Sequence, residues 1–563
     1  MPLVALVGVV GAAVALSLVL GLSASARAAA GSAKIKTGGT IYVEQPWSSL
    51  QNNFNPMLPS GGVTGGTLSV IYESLFFENT VTSKETPVLG KSYKWTNKNR
   101  TLVITTRSGV KWSDGKPFTA KDVAFTFNYL KAHVAVDLNG LWSTPTSPSS
   151  LKSVKAKGKN TVIFTFSKPD TPIFVRIAAV YMIPQHIWSS ITKPEDFKNN
   201  TTKPVGTGPF TLKSWSSSTV QYQKNTKYWM KGRPYLSNVV ISAVNSNATC
   251  LLDILAGKVD YTYTAIDNPE KVYVAVNPKV NKYWWPVANL NLLYFNTTRD
   301  PFNNKNFRKA LAWAMDTKKM SSRAFYGAVP AASGGMESMV VKSQLKSWYP
   351  DSLKKLEWKY SVAKSKAALK KAGYKWVGGK LASPTGNVYP TFEITIGGPG
   401  WTDFIILAQL VSQNLKAIGM STSITQAPWT TYMDKLQNGH YDMAICWGNG
   451  PGPTPYFLYY YNLTLKQIAG KNNYSRFHSA GIEKALRTYA SSSVSAVQKK
   501  AIVAIEKSVL TNVPAVALTG RPNFFDYQTR TLTGFPSATN PYNDAGPSDQ
   551  PGARLLFLNV HKK

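Results

Sequence analysis

Between residues 392 and 447 the apolar pattern changes period repeatedly, and glycines punctuate the changes. Residues 392–396 read as a strand, broken by Gly397-Gly398-Pro399-Gly400. Leu407, Leu410, Val411, Leu415 and Ile418 then define a helix stopped by Gly419. Residues 420–425 read as a second strand, 430–438 as a second helix stopped by Gly439, and 441–447 as a third strand. Strand, helix, strand, helix, strand with short links predicts a parallel α/β unit. In open sheets of this kind ligands sit beyond the carboxyl ends of the strands. Those ends read GGPGW, QAPW and WGNGPGPTPY, so Trp401, Trp429 and Trp447 are expected at one edge. Any one of them is as readily a packing residue under a loop. Three together suit a wall for sugar rings, peptide side chains or other flat apolar surfaces.

A chain of 563 residues exceeds a single core and implies roughly two or three domains. Its charge is unusual, with 64 basic against 28 acidic residues and a formal net of +36. Nucleic-acid binding does not follow, because the lysines are scattered and no helix-turn-helix, zinc-finger or RNA-binding motif is present. A basic face toward an anionic wall or membrane surface is one reading. Work in acid outside the cell is another, since carboxylates protonate there and lose their partners. Residues 3–22 are apolar, and Ala28-Ala29-Ala30 before Gly31 fits a small-residue cleavage site, as does Ala24-Ser25-Ala26. An exported protein is therefore expected, with residues 1–30 as its signal. An uncleaved single span stays open, because the run is nearly long enough to cross a bilayer. The Lys or Arg that usually precedes such a run is missing, which also leaves open a start further upstream. No cysteine lies in this stretch, so attachment as a Cys-anchored lipoprotein is not expected. Cys250 and Cys446 are expected as two buried free thiols.

Residues 101–130 read TLVITTRSGVKWSDGKPFTAKDVAFTFNYL. Leu102, Ile104, Val110 and Trp112 suit a half-buried strand, and Ser113-Asp114-Gly115 a turn. Thr119 is the expected N-cap, with Asp122 in the first turn and Val123, Phe127 and Leu130 on one helical face. Further landmarks are a strand at 38–43, a helix at 69–77, a hairpin within 149–166 and a helix at 247–257 capped by Asn247. A single amphipathic helix is expected at 305–320.

The 101–130 segment resembles the signature of family 5 extracytoplasmic solute-binding proteins. The resemblance extends to Pro87-Val88-Leu89, VGTGPFTL at 205–212, LLDILAGKVDY at 251–261, FNTTRDPFNNKNFRKALAWAMD at 295–316 and AALKKAGY at 367–374. It implies an α/β protein with the two-lobed periplasmic-binding-protein fold, a ligand cleft between the lobes and an additional third domain. The implied first lobe is discontinuous, at 31–83, 204–293 and 520–563. The extra domain is 84–203 and the second lobe 294–519, and the chain crossings between the lobes form the hinge. The resemblance further implies capture of a small solute for the membrane permease subunits of an ABC importer, a monomer, and no catalysis. Glu44 and Trp47, after the first strand of the opposite lobe, are expected to face the tryptophans.

The loop at 447–456 is similar to the family's ligand loop, in which peptide-binding members often carry an acid for the ligand's amino terminus. Here it offers Trp447, Asn449 and Tyr456, and no Asp or Glu occurs between Asp442 and Glu483. A buried ammonium needs a carboxylate to offset its desolvation. An uncharged polyhydroxylated ligand, an oligosaccharide, therefore fits better than a peptide, and backbone-mediated peptide recognition is the alternative. The expected ligand-binding set is Glu44, Trp47, Trp401, Trp429, Trp447, Asn449 and Tyr456. No His-x-x-x-His, Cys-x-x-Cys, phosphate-loop or Gly-x-Ser-x-Gly motif is present, so neither a metal nor a cofactor is expected. A cell-surface glycosidase would need two facing carboxylates, and the named ligand-edge loops contain only Glu44 and Asp403.

Overall fold

In the computed structural model the described residues are 35–563, apart from 46–48, 60–61, 143–148, 245, 333, 337–347, 399–400, 449, 451, 453, 470 and 549. Three sheets organise the chain, each with its own apolar core. The first has seven strands, in the order Asn281–Trp284, Phe525–Gln528, Tyr261–Thr262, Thr40–Gln45, Asn238–Ala243, Thr219–Lys224, Phe210–Trp215. Alternation along Thr40–Gln45 sends Ile41 and Val43 into the core beside Val239 and Ile241 of the parallel neighbour.

The second sheet has five strands, in the order Thr422–Ala427, Phe392–Gly397, Met443–Trp447, Val287–Phe295, Ala515–Pro522. Its first three are parallel, and helices Thr402–Lys416 and Trp429–Asn438 make the crossovers. Val287–Phe295 adds antiparallel to Met443–Trp447 and to Ala515–Pro522, so the sheet is mixed. The third sheet is antiparallel, in the order Gly90–Thr96, Thr101–Thr106, Thr161–Phe166, Leu151–Lys157. Helix Ala120–Ala132 covers its Leu102, Ile104, Val162 and Phe164 face. Thr119 starts that helix as expected, in a full capping box: its hydroxyl accepts from the Lys121 amide, and Asp122 Oδ2 accepts from the Thr119 amide at 2.9 Å.

The chain crosses between the first two sheets at residues 285–286 and 523–524, and the Asn523 amide donates to Pro286 O at 2.9 Å. Trp285 packs edge-on to Phe524 at 5.1 Å and donates from Nε1 to Asp526 Oδ1 at 3.1 Å. Strand Val287–Phe295 belongs to the second sheet, so the division expected at residues 293–294 falls inside it. The 520 boundary likewise falls inside Ala515–Pro522.

Several local expectations are corrected. Residues 69–77 do not form one helix: a five-residue π-helix, Thr67–Ile71, gives way to strand Phe76–Glu78. The cause lies in VGTGPF. A Cβ on Gly206 would stand 2.0 Å from Ile71 O, and one on Gly208 2.2 Å from Val70 O. These glycines are needed for close backbone approach, and the buried segment is shaped by that contact. The helix expected at 305–320 is two, Lys305–Ala314 and Thr317–Ala324, because Asp316 leaves the helical path and caps the second through the Lys319 amide. Ser246, one residue before Asn247, caps Asn247–Ala256. The strand at 101 ends at Thr106, and Val110 and Trp112 are buried from a loop. Cys250 and Cys446 are free and buried.

Candidate functional site

The parallel pairing of Phe392–Gly397 with Thr422–Ala427 and Met443–Trp447 brings three carboxyl ends to one edge. Trp401 caps helix Thr402–Lys416, Trp429 opens helix Trp429–Asn438, and Trp447 ends its strand. Their rings meet. Centroids are 5.8 Å apart for Trp401 and Trp429, 5.9 Å for Trp401 and Trp447, and 5.7 Å for Trp429 and Trp447, the last pair stacked at 22°. Gly398 adopts φ +70°, and a Cβ there would stand 2.5 Å from the Trp401 ring, so only glycine fits beside that tryptophan. Trp429 is 44% exposed, while Trp401 and Trp447 are half-buried behind it. The loop after Trp447 is held from below: Tyr294 Oη donates to Trp447 O at 3.1 Å and Asn289 Nδ2 to Gly448 O at 2.9 Å.

A charged pair borders the wall. Arg521 is the penultimate residue of strand Ala515–Pro522, next to the crossing between sheets. Its guanidinium carbon is 4.9 Å from the Trp447 ring centroid and 5.6 Å from that of Phe404. Its Nη1 is 3.4 Å from Asp403 Oδ2, and the two side chains are 26% and 17% exposed. Burial pushes the Asp403 carboxyl up, Arg521 draws it back down, and Asp267 raises it again. Asp267 is an exposed residue of the loop after Tyr261–Thr262, in the first sheet's half of the molecule. The sequence reading named Asp403 but missed Arg521 and Asp267, which no local motif marks.

The remaining expected residues are placed differently. Glu44 is only 4% exposed and lies with Asp253, Lys258 and Cys250, against helix Asn247–Ala256. Burial, and then Asp253, push its carboxyl up to about 8, while Lys258 pulls the other way. Tyr456 is buried in an aromatic stack with Tyr460 at 5.9 Å and Tyr489 at 4.9 Å, and among the described residues it has no ring contact with the tryptophans. Trp47 and Asn449 lie outside the described residues. A cavity of about 290 Å³ opens elsewhere, lined by Met57, Leu68, Leu130, Val136, Tyr181 and Pro551, and it shares no lining residue with the tryptophan edge. Among the described residues no group of His, Cys, Asp or Glu is arranged to hold a metal ion. None of their helices is long and apolar enough to cross a membrane.

Comparison with known proteins agrees with this architecture. Residues 84–468 match the family model for bacterial extracellular solute-binding proteins, family 5 middle. The oligopeptide-binding protein AppA of Bacillus subtilis is 25% identical over 397 residues, 68% of this chain and 68% of that protein. The haem-binding protein A of Haemophilus influenzae is also 25% identical, over 71% of this chain and 72% of its own. Among solved structures, a periplasmic oligopeptide-binding protein from Thermotoga maritima superposes with a TM-score of 0.84 at 23% identity, covering 93% of this chain and 99% of that one. The same Thermotoga protein bound to mannohexaose superposes at 0.76, also at 23% identity, covering 93% and 98%. With the family model spanning more than half of its length, the chain belongs to family 5 of the bacterial extracellular solute-binding proteins, which are transport receptors and not enzymes.

Proposed function

We propose that the protein is the receptor of an ABC importer and captures an oligosaccharide-sized neutral solute against the Trp401–Trp429–Trp447 wall. The observation that carries this reading is the meeting of the three rings at the carboxyl edge of the parallel strands, with Trp429 44% exposed. A partly exposed aromatic face such as that of Trp429 suits the apolar face of a sugar ring. The Thermotoga protein with the same fold binds mannohexaose, which supports a ligand of that size. A solute that touches both halves of the molecule stabilises the closed arrangement, and one that touches a single half shifts nothing. The paired crossings at residues 285–286 and 523–524 are the hinge for that motion, and the closed surface is what the permease subunits read.

A peptide ligand is the second reading. The relatives named for oligopeptides favour it, and so does Asp267, an exposed carboxylate near Asp403 that could pair with an ammonium. A thermal-shift screen of the protein from Gly31 onward, against neutral oligosaccharides and di- to pentapeptides, decides between them, because a ligand that binds only the folded state raises the melting temperature. Stabilisation by an oligosaccharide and not by peptides is the expected result. Stabilisation by peptides alone, lost in Asp267→Asn, would replace the sugar reading with the peptide one.

A further inference from the structure

Among the described residues Arg521 is an arginine without a full set of acceptors, placed where the aromatic wall meets the crossing between the two halves. Asp403 Oδ2 is the one side-chain or backbone acceptor it has among the described residues, at 3.4 Å. A guanidinium carries five N–H donors, so most of them have no acceptor among the described residues. The side chain is held from two sides, by Asp403 and by the Trp447 and Phe404 rings, which fixes the planar group instead of leaving it to sweep through solvent. It is nonetheless 26% exposed.

We propose that Arg521 is the polar ligand contact of this site, donating to a hydroxyl or ring oxygen of a neutral oligosaccharide while that sugar stacks on the tryptophans. This deepens, and rests on, the aromatic-wall reading. The residue supplies what the wall lacks. Indole faces recognise a flat apolar surface but do not distinguish one hydroxylated ring from another, whereas fixed donors at the ring's edge do. Asp403 acts as a positioning residue. It holds the guanidinium in plane and neutralises it, so that the pair as a whole asks for no counter-ion on the ligand. Arg521 is also one residue short of the end of its strand and two short of the crossing at 523–524. A ligand bonded to it would therefore sit beside the crossing, in reach of both halves.

The test is calorimetric titration of the protein from Gly31 onward with mannohexaose and a panel of other neutral oligosaccharides. Wild type is compared with Arg521→Ala, Arg521→Lys, Asp403→Asn and Trp429→Ala, each first shown by its melting curve to be folded. For the sugar bound by wild type, Arg521→Ala should weaken binding about tenfold or more, the loss expected for a charge-assisted hydrogen bond. Arg521→Lys should recover part of that loss, since an ammonium still donates but cannot keep the planar fork. Asp403→Asn should weaken binding less than Arg521→Ala does. If Trp429→Ala weakens binding and Arg521→Ala leaves it unchanged, the Arg521 proposal is overturned and the aromatic wall stands. If Trp429→Ala has no effect, or if no neutral sugar in the panel binds, the wall reading itself falls and this proposal falls with it. Should Arg521→Ala not fold, Arg521→Lys and Arg521→Gln carry the comparison, with Gln expected to bind more weakly than Lys.

Discussion

Replacing Trp429 with alanine removes the most exposed ring of the wall, and the size of the effect follows from that exposure. A tryptophan presents up to roughly 250 Å². At 44% exposure about 110 Å² of that remains open. A flat ligand covering about half of it buries about 50 Å², worth about 1.3 kcal/mol at about 25 cal/mol per Å². Dissociation constants should therefore rise about tenfold in Trp429→Ala. The ring also packs on Trp401, Trp447 and Tyr432, so folding stability should fall as well, by about 1–2 kcal/mol, below the range for fully buried aromatics. The two losses are read separately, binding by calorimetric titration with mannohexaose and stability by thermal melting without ligand. A lower melting temperature with an unchanged dissociation constant would refute the reasoning, because Trp429 would then be a packing residue only.

Stability should hold as pH falls from neutral to about 4, near the ordinary carboxylate range, and the melting temperature across that range checks it. Burial raises Glu44 and Glu78 to about 8 and Asp260 to about 6, and also raises Glu73, Glu85, Asp137, Asp403, Asp526 and Asp544. A carboxyl raised by folding contributes stability that is present at low pH and lost as pH rises through its folded value. The lowered groups Asp114, Asp253, Asp351 and Glu393 act in the opposite sense and lose their contribution in acid. Raised groups are the majority, so unfolding near pH 5 would contradict the account. Glu44→Gln should flatten the decline in stability expected as pH rises from about 4.5 to about 8, a difference of a few kcal/mol at most, and an unchanged slope would show that Glu44 does not titrate there. Arg554→Met should cost about 3–5 kcal/mol, because Glu73 would remain buried without the guanidinium 3.2 Å away, and adding Glu73→Gln should restore part of the loss in a urea melt.

Much of the second sheet was legible in the chain. The switch between strand and helix periods at 392–447 located three strands and two helices, and short links force consecutive strands to run parallel. That local rule was enough to bring Trp401, Trp429 and Trp447 to one edge, where their rings meet. The capping box at Thr119 was equally local, since both of its hydrogen bonds close within three residues. Where two helices met at Asp316, the apolar face ran on unbroken and hid the break, because the cap is a backbone event and the face is not.

By itself, then, the order of residues determined the parallel unit, its glycine-bounded turns, the aromatic edge and the family, all features set by neighbours a few positions apart. Tertiary structure alone decided which charges border that edge. Arg521 stands 118 positions from Asp403 and reaches it because Ala515–Pro522 joins the sheet antiparallel to Val287–Phe295, a pairing no local pattern announces. It also turned Glu44 onto the helix side of its strand, beside Asp253, and placed Tyr456 among tyrosines. Side-chain direction in a strand alternates with every residue, so which face lies against a helix depends on packing from distant parts of the chain.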